Sequence, residues 1–128
     1  MIRTYISTIS TTGELAVSFH PHPEKEINQI DEKPQMEVYK IIQELMTNTL
    51  KHAEAKNVDI HLSLIEGELS LLFEDNGNGF DTLQITRGIG WENMQNRVTE
   101  LQGQMNIDSA IGRGTVVSIQ IPLKTSTA

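Results

Sequence analysis

Glu44-Leu45-Met46-Thr47-Asn48-Thr49-Leu50-Lys51-His52-Ala53 is the stretch on which the reading of this chain turns. It lies inside a helical pattern that runs from about Gln35 to Ala53. Val38, Ile41, Ile42, Leu45, Met46, Thr49 and Ala53 recur at helical spacing and make one stripe. Glu44 and Asn48 are four apart, Asn48 and Lys51 three apart, so these polar residues share another face. At ~100° per residue the trio is expected nearly opposite the centre of the stripe, with His52 at the border between the faces. A carboxylate, an amide and an ammonium side by side suit a metal-bound phosphate. A solvated helix face carries the same pattern, so this segment alone leaves both readings open.

Outward from the helix, the bulk numbers bound the answer. The chain has 128 residues, enough for one domain with a real core and too few for two. A hydrophobic content of 38% and a charged content of 21% fit a soluble globular protein rather than a disordered one. The net charge of −7 argues against binding a nucleic-acid backbone, which needs a basic footprint. It leaves room for a nucleotide, because magnesium and backbone N–H groups hold phosphates in acidic proteins. There is no cysteine, hence no disulfide framework and no thiolate chemistry. No apolar run reaches membrane-spanning length, and Met1 to Tyr5 lack the apolar centre of a signal peptide. These features lead us to expect a cytoplasmic domain without membrane contact of its own, which is compatible with the cytoplasmic part of a membrane-bound protein.

Before the helix, residues from about Ile2 to Thr11 are weakly patterned as a short helix, and Leu15, Val17 and Phe19 alternate as a strand. His20-Pro21-His22-Pro23 is expected to end that strand, since proline cannot serve a ladder. Its two histidines are flanked by prolines with no third ligand nearby, a poor metal site. Residues 24–33 read as a charged connection, with Asp31 a candidate cap and Pro34 suited to a first turn.

After the helix comes a hairpin pattern. Val58, Ile60, Leu62 and Leu64 alternate, Glu66-Gly67 turns, and Leu69, Leu71 and Phe73 alternate again up to Asp75. Three glycine clusters follow. Asp75-Asn76-Gly77-Asn78-Gly79 is a loop by composition. Arg87-Gly88-Ile89-Gly90 opens a helix through Met94, Val98 and Leu101, and such an entry presents N–H groups suited to phosphate. Gly103 is expected to stop that helix, and Met105 and Ile107 suggest a strand. Gly112-Arg113-Gly114-Thr115 turns into a last strand through Val117, Ile119 and Ile121.

Taken in order, these segments resemble the boxes of a sensor histidine kinase. Glu44-x-x-x-Asn48-x-x-Lys51-His52-Ala53 is similar to the N box, and Asp75-x-Gly77-x-Gly79 to the first glycine box. Gly88-x-Gly90 with Asn93-Met94 and Arg97-Val98 resembles the second, and Gly112-x-Gly114-Thr115 the third. The chain resembles the catalytic, ATP-binding domain of a bacterial two-component kinase, in the subgroup that partners LuxR-type response regulators. The wider superfamily holds gyrase, MutL and heat-shock chaperone ATPases. The resemblance implies a two-layer α/β sandwich of the Bergerat type, with about five strands in a mixed sheet and about three helices on one face. It implies one catalytic domain over 1–128, with its core at about 14–123, and a phosphoacceptor domain absent from this chain.

Site roles follow from the same resemblance. Asn48 would ligate Mg2+, Lys51 would reach phosphate, and His52 would assist. Asp75 would accept from the adenine amino group, with Thr115 backing it through water. Gly77 and Gly79 would admit the base, and Gly88 and Gly90 would close a lid formed by residues 80–88 over the phosphates of ATP. Glu44 would act as general base or orienting group. The implied partners are a helical dimerisation domain bearing the acceptor histidine, in the same polypeptide or in trans, and a response regulator. None of His20, His22, His52 or His61 stands in the setting of an acceptor histidine. Trp91 replaces the usual leucine and reads as a partly buried aromatic, while Gln102 replaces a common glycine at the helix exit. Alternatives within the superfamily are a serine kinase of the anti-sigma-factor type and a non-catalytic nucleotide-binding module.

Overall fold

Leu69, Leu71 and Phe73 alternate with Ser70, Leu72 and Glu74, and this period of two decides which face of the sheet is covered. The computed structural model describes residues 5–6, 16–49, 56–77, 89–110, 112 and 114–123. Five strands form one sheet: β1 (Ala16–His22), β2 (Asn57–Ile65), β3 (Glu68–Asp75), β4 (Gln104–Ala110) and β5 (Gly114–Pro122). Helices α1 (Glu24–Ile27), α2 (Glu32–Asn48) and α3 (Ile89–Glu100) accompany them. The strand order is β1-β2-β3-β5-β4. β1 and β2 are parallel and every other pair is antiparallel, so the sheet is mixed, as expected.

One face of this sheet is the core. Val58, Ile60 and Leu62 of β2, Leu69, Leu71 and Phe73 of β3, and Val117, Ile119 and Ile121 of β5 are buried together. Val38, Ile41, Ile42, Leu45 and Met46 of α2 close over them, joined by Trp91, Met94 and Val98 of α3. Burying each such side chain contributes roughly 1.5–3 kcal/mol. The alternate positions form the other face, which is mainly polar but carries Leu72, Val116 and the exposed Ile65. There His20 and His61 are register partners whose rings stack with centroids 4.7 Å apart.

Four local expectations need correction. β1 does not stop at His20 but runs through Pro21 to His22. It pairs only with β2, and an edge strand tolerates a proline because one side of its ladder is not called on. Residues 24–33 are not merely a connection, since α1 forms within them and buries Ile27. Asp31 stands at the N-cap of α2, yet its side chain makes no capping bond. Gly103 is not the residue that turns the chain at the end of α3. Gln102 takes the left-handed conformation, φ 61°, where glycine is favoured. The Gln102 N–H bonds Thr99 O and the Gly103 N–H bonds Val98 O, a Schellman ending. Gly103 is required for a different reason: a Cβ there would lie 2.5 Å from the Gln120 carbonyl oxygen. The expected helix over Ile2 to Thr11 is seen only at Tyr5 and Ile6, and its other residues lie outside the described set.

The two long helices are tied by charge as well as by core contacts. Arg97 Nη1 of α3 donates to Glu37 Oε2 of α2 at 2.7 Å, and Lys40 stands 3.7 Å from the other oxygen. The Arg97 hydrogen bond holds the Glu37 carboxyl below its ordinary range. Val98, next to Arg97, lies with Ile121 around Gly103, at the end of the sheet remote from Asp75. The first turn of α3 therefore points toward the end that carries Asp75 and the C-terminus of α2.

The left-handed Gln102 yields a stability test. Gln102→Gly is expected to raise the unfolding free energy by up to about 1 kcal/mol, offset in part by the extra freedom of the unfolded chain. Urea unfolding checks it: the midpoint should rise with the slope unchanged. An unchanged or lower midpoint would show that the Gln102 side chain compensates for its backbone.

Candidate functional site

The inward positions of β3 are Leu69, Leu71, Phe73 and then Asp75, so the strand ends by pointing a carboxylate along the core face. The same count places Thr115 inward at the start of β5, and Ser109 inward near the end of β4 after Met105 and Ile107. Asp75 and Thr115 are register partners, as are Thr115 and Ser109. A polar row thus crosses three strands at one end of the apolar layer.

Asp75 is held from several directions. The Gly77 N–H donates to its Oδ1 at 2.9 Å. Thr49 Oγ1 donates to its Oδ2 at 3.4 Å, and the Thr115 backbone N–H donates to the carboxylate as well. Thr49 stands just after α2, on the apolar stripe that Leu45 and Met46 continue, and is only 5% exposed. Burial pushes the Asp75 carboxyl above its ordinary range, and these donors only partly oppose the shift. An acceptor partly stripped of water and incompletely compensated is suited to a donor brought by a ligand.

Glycine shapes the wall. Gly114 has φ 82°, and a Cβ there would meet the Asp75 carbonyl oxygen at 2.5 Å. Only glycine lets β5 begin so close to the end of β3. Asn76 acts as a structural pin. Its Oδ1 accepts from the N–H groups of Lys56 and Asn57, at 3.0 and 2.8 Å, and so fastens β2 to the loop.

Asn48 and Glu44 do not lie on an open surface opposite the core. Both are half-buried, and the Asn48 amide nitrogen is fully enclosed with no hydrogen-bond partner among the described residues. The reason lies in the helical count. Glu37, Glu44 and Asn48 follow at seven and eleven residues, one ridge at ~100° per residue, and Glu37 shows that this ridge faces α3. An orphaned buried N–H2 is costly unless an acceptor completes it, as a phosphate oxygen or a metal-bound water would, while the amide oxygen is a hard ligand of the kind that Mg2+ takes. Among the described residues no three acidic, histidine or cysteine side chains gather into a metal cage. Mg2+ seldom uses one, so the single amide is in keeping with that ion.

Of the expected site residues, Asp75, Gly77 and Thr115 are brought together, with Asn48 adjoining Thr49 at the same helix end. Glu44 is one turn earlier on the Asn48 ridge. Gly90 lies in the first turn of α3. Lys51, His52, Gly79, Gly88 and the expected lid at 80–88 lie outside the described residues. Trp91 is buried in the core cluster, more fully than the partly buried aromatic expected. Sequence reasoning counts Thr49 as part of the apolar stripe and passes over Ser109, whose signal is its place in the inward alternation of β4.

This fold and site define a nucleotide-binding ATPase module. The family described as histidine kinase-, DNA gyrase B-, and HSP90-like ATPase matches residues 34–125, and the chain belongs to it. The signal transduction histidine-protein kinase/phosphatase DegS of Bacillus subtilis is 30% identical over 127 residues, covering 95% of this chain and 33% of DegS. The sensor histidine kinase ComP of the same organism is 35% identical over 97 residues, covering 73% of this chain and 13% of ComP. The blue-light activated histidine kinase of Erythrobacter litoralis EL346 superposes with a TM-score of 0.79 at 25% identity, over 95% of this chain and 39% of that structure. The chain therefore spans about a third of the length of DegS. Among the described residues no helix is long and apolar enough to cross a membrane.

The raised Asp75 pKa carries a sign. The folded protein holds this proton more tightly, so Asp75 contributes stability below its unfolded pKa that is lost as pH rises through the folded value. Asp75→Asn should therefore make the nucleotide-free protein more stable than the parent near neutral pH. The gain should shrink as pH falls below the folded pKa. Thermal melts from acid to neutral pH measure the difference, and a variant less stable at neutral pH would mean the donors outweigh burial.

Proposed function

We propose that this chain binds Mg-ATP and delivers the γ-phosphoryl group to a histidine on a separate helical dimerisation domain in two-component signalling. The observation that carries the reading is the half-buried, donor-held Asp75 at the end of α2 that also holds the Asn48 amide nitrogen, which has no partner among the described residues. Asp75 takes the adenine amino group. Asn48 would hold the magnesium ion, which when bound offsets the charge of the phosphates. Lys51 and His52 follow Asn48 in sequence and serve the phosphates. Gly77 and Gly79 admit the base, Thr115 supports Asp75, and Gly88 and Gly90 lead into α3, whose N-terminal dipole favours phosphate. Glu44 takes or orients the proton at the attacking nucleophile. The sensor histidine kinases among its relatives support the acceptor class, and with it a downstream response regulator as partner.

Base selectivity tests the nucleotide site. An ionised carboxylate only accepts, so it suits the amino group of adenine and opposes the carbonyl of guanine. Calorimetry should show ADP bound at least about tenfold more tightly than GDP, where tenfold corresponds to about 1.4 kcal/mol. Asp75→Asn should narrow the gap. In the same titrations with ATP, Asn48→Ala should lose more affinity with magnesium than without it. Equal affinities for ADP and GDP in the parent protein would remove Asp75 from the site.

Transfer tests the activity. With radiolabelled ATP the chain alone should acquire no acid-labile phosphate, because its histidines do not stand in an acceptor setting. Adding the helical domain of a sensor histidine kinase of this subgroup should restore labelling, on that domain. Glu44→Gln should slow transfer by about 10²-fold or more while nucleotide affinity changes little. A parent-like rate in the variant would exclude Glu44 as the base.

A further inference from the structure

Asn76 stands inside the turn that follows β3, and the roles assigned above do not use it. The Gly77 N–H donates to Asp75 Oδ1 at 2.9 Å, so the turn across Asn76 is closed by the carboxylate itself. While that bond stands, the carboxylate and the turn move as one unit. Asn76 fastens the unit to β2. Its own N–H donates to the Asn57 carbonyl oxygen at 3.2 Å. Its Oδ1 accepts from the N–H groups of Lys56 and Asn57 at 3.0 and 2.8 Å. Both of these donors are backbone N–H groups, so the atom that meets them is the amide oxygen and not the amide nitrogen.

The place of these bonds matters more than their strength. Asn76 is exposed, so water competes for each of them and their worth to overall stability is modest. They lie just past Val58 and Asp75, the last register pair of β2 and β3. The Lys56 carbonyl oxygen accepts from the Ala16 N–H at 2.9 Å, so the starts of β1 and β2 meet the turn at one point. On its other side the carboxylate is met by Thr49 at Oδ2. Its two oxygens are therefore oriented by two separate elements, Oδ2 by the end of α2 and Oδ1 by the turn that Asn76 holds. We propose that Asn76 is a positioning residue for base selection: its side-chain oxygen holds the Gly77 turn against β2, and the turn so held keeps the Asp75 carboxylate aimed at the amino edge of adenine. Asn76 acts through Gly77 and Asp75. This rests on the reading of Asp75 as the base-binding carboxylate, and deepens it.

Two substitutions separate the acceptor from the shape. Alanine removes the oxygen and leaves only the backbone bond to Asn57. Aspartate has the length and branching of asparagine and still accepts from both N–H groups. The charge that aspartate adds near the phosphates weakens ADP and GDP alike, so it cancels in the ratio of the two affinities.

The test has two readouts on the 128-residue chain. The first is the ratio of ADP to GDP affinity by calorimetry, which within one variant is insensitive to the fraction of protein that is folded. Asn76→Ala is expected to narrow the ratio by about threefold to tenfold, the scale of one hydrogen bond. Asn76→Asp is expected to keep the parent ratio. The second readout is amide hydrogen exchange at Gly77, followed by NMR without nucleotide. Exchange should quicken in Asn76→Ala and stay at the parent rate in Asn76→Asp. An unchanged ratio in Asn76→Ala with a lowered melting temperature would make Asn76 a structural residue only and overturn the proposal. So would a ratio lost equally in Asn76→Asp, or Gly77 exchange that Asn76→Ala does not alter. A parent without preference for ADP, unaffected by Asp75→Asn, overturns the Asp75 reading and this proposal with it. A parent preference that Asn76→Ala leaves intact overturns this proposal alone.

Discussion

A carboxylate occupies the fourth inward position of β3, where the first three are Leu69, Leu71 and Phe73. Placing a charge at the end of an apolar layer is unfavourable unless donors surround it, and the neighbouring structure is arranged around that need. Thr49 supplies a hydroxyl from the end of α2, Gly77 a backbone N–H from the loop, and Thr115 another from β5. Gly114 lacks the Cβ that would keep β5 from coming close enough to do so. The donors leave the carboxyl with a raised pKa, so the balance remains on the side of burial.

That balance has a counterpart at the other end of α2. Glu37 is also half-enclosed, but Arg97 reaches it at 2.7 Å and its carboxyl is held low. By linkage the two groups act with opposite sign: Glu37 contributes stability above its unfolded pKa that is lost as pH falls through the folded one, and Asp75 does the reverse. One helix thus meets a carboxylate held low where it is tied to α3, and one whose burial its donors only partly offset where a ligand is expected. The orphaned Asn48 amide lies at the same end as Asp75. Unmet polar capacity is concentrated at one end of the helix, which is the pattern expected when a fold gives up local stability for binding.

The layers were legible because periodicity reports burial directly. Alternation in β2, β3 and β5 and the stripe on α2 placed the core residues, and the turn at Glu66-Gly67 follows from its glycine; both residues there have positive φ. The failures share a cause, which is that a short-range pattern does not say what a neighbouring element will do. Pro21 is tolerated because β1 is an edge, a fact about sheet order. Gly103 is a glycine because a Cβ there would strike β5, a fact about packing across the layer, and the left-handed turn falls on Gln102 instead. The placement of Glu44 and Asn48 opposite the core failed similarly, since the ridge that they share with Glu37 is covered from the side by α3.

The candidate site divides along the same line. Asp75 was readable as the end of an alternating strand, and Asn48 as the amide of a boxed helix. Thr49 and Ser109 were not, and for opposite reasons. Thr49 looked apolar because it sits on the buried stripe, yet a threonine at the last turn of that stripe is where a buried hydroxyl finds a partner on the sheet. Ser109 looked like a polar residue near a turn, yet the alternation from Met105 and Ile107 directs it inward, and a small hydroxyl so placed has to be satisfied by what lies opposite. In both cases the residue becomes meaningful when its inward position is joined to its chemistry. An inward-pointing hydroxyl at the end of an apolar row needs a partner: Thr49 finds it in the Asp75 carboxylate, and Ser109 in Gly114 and Thr115 of the neighbouring strand.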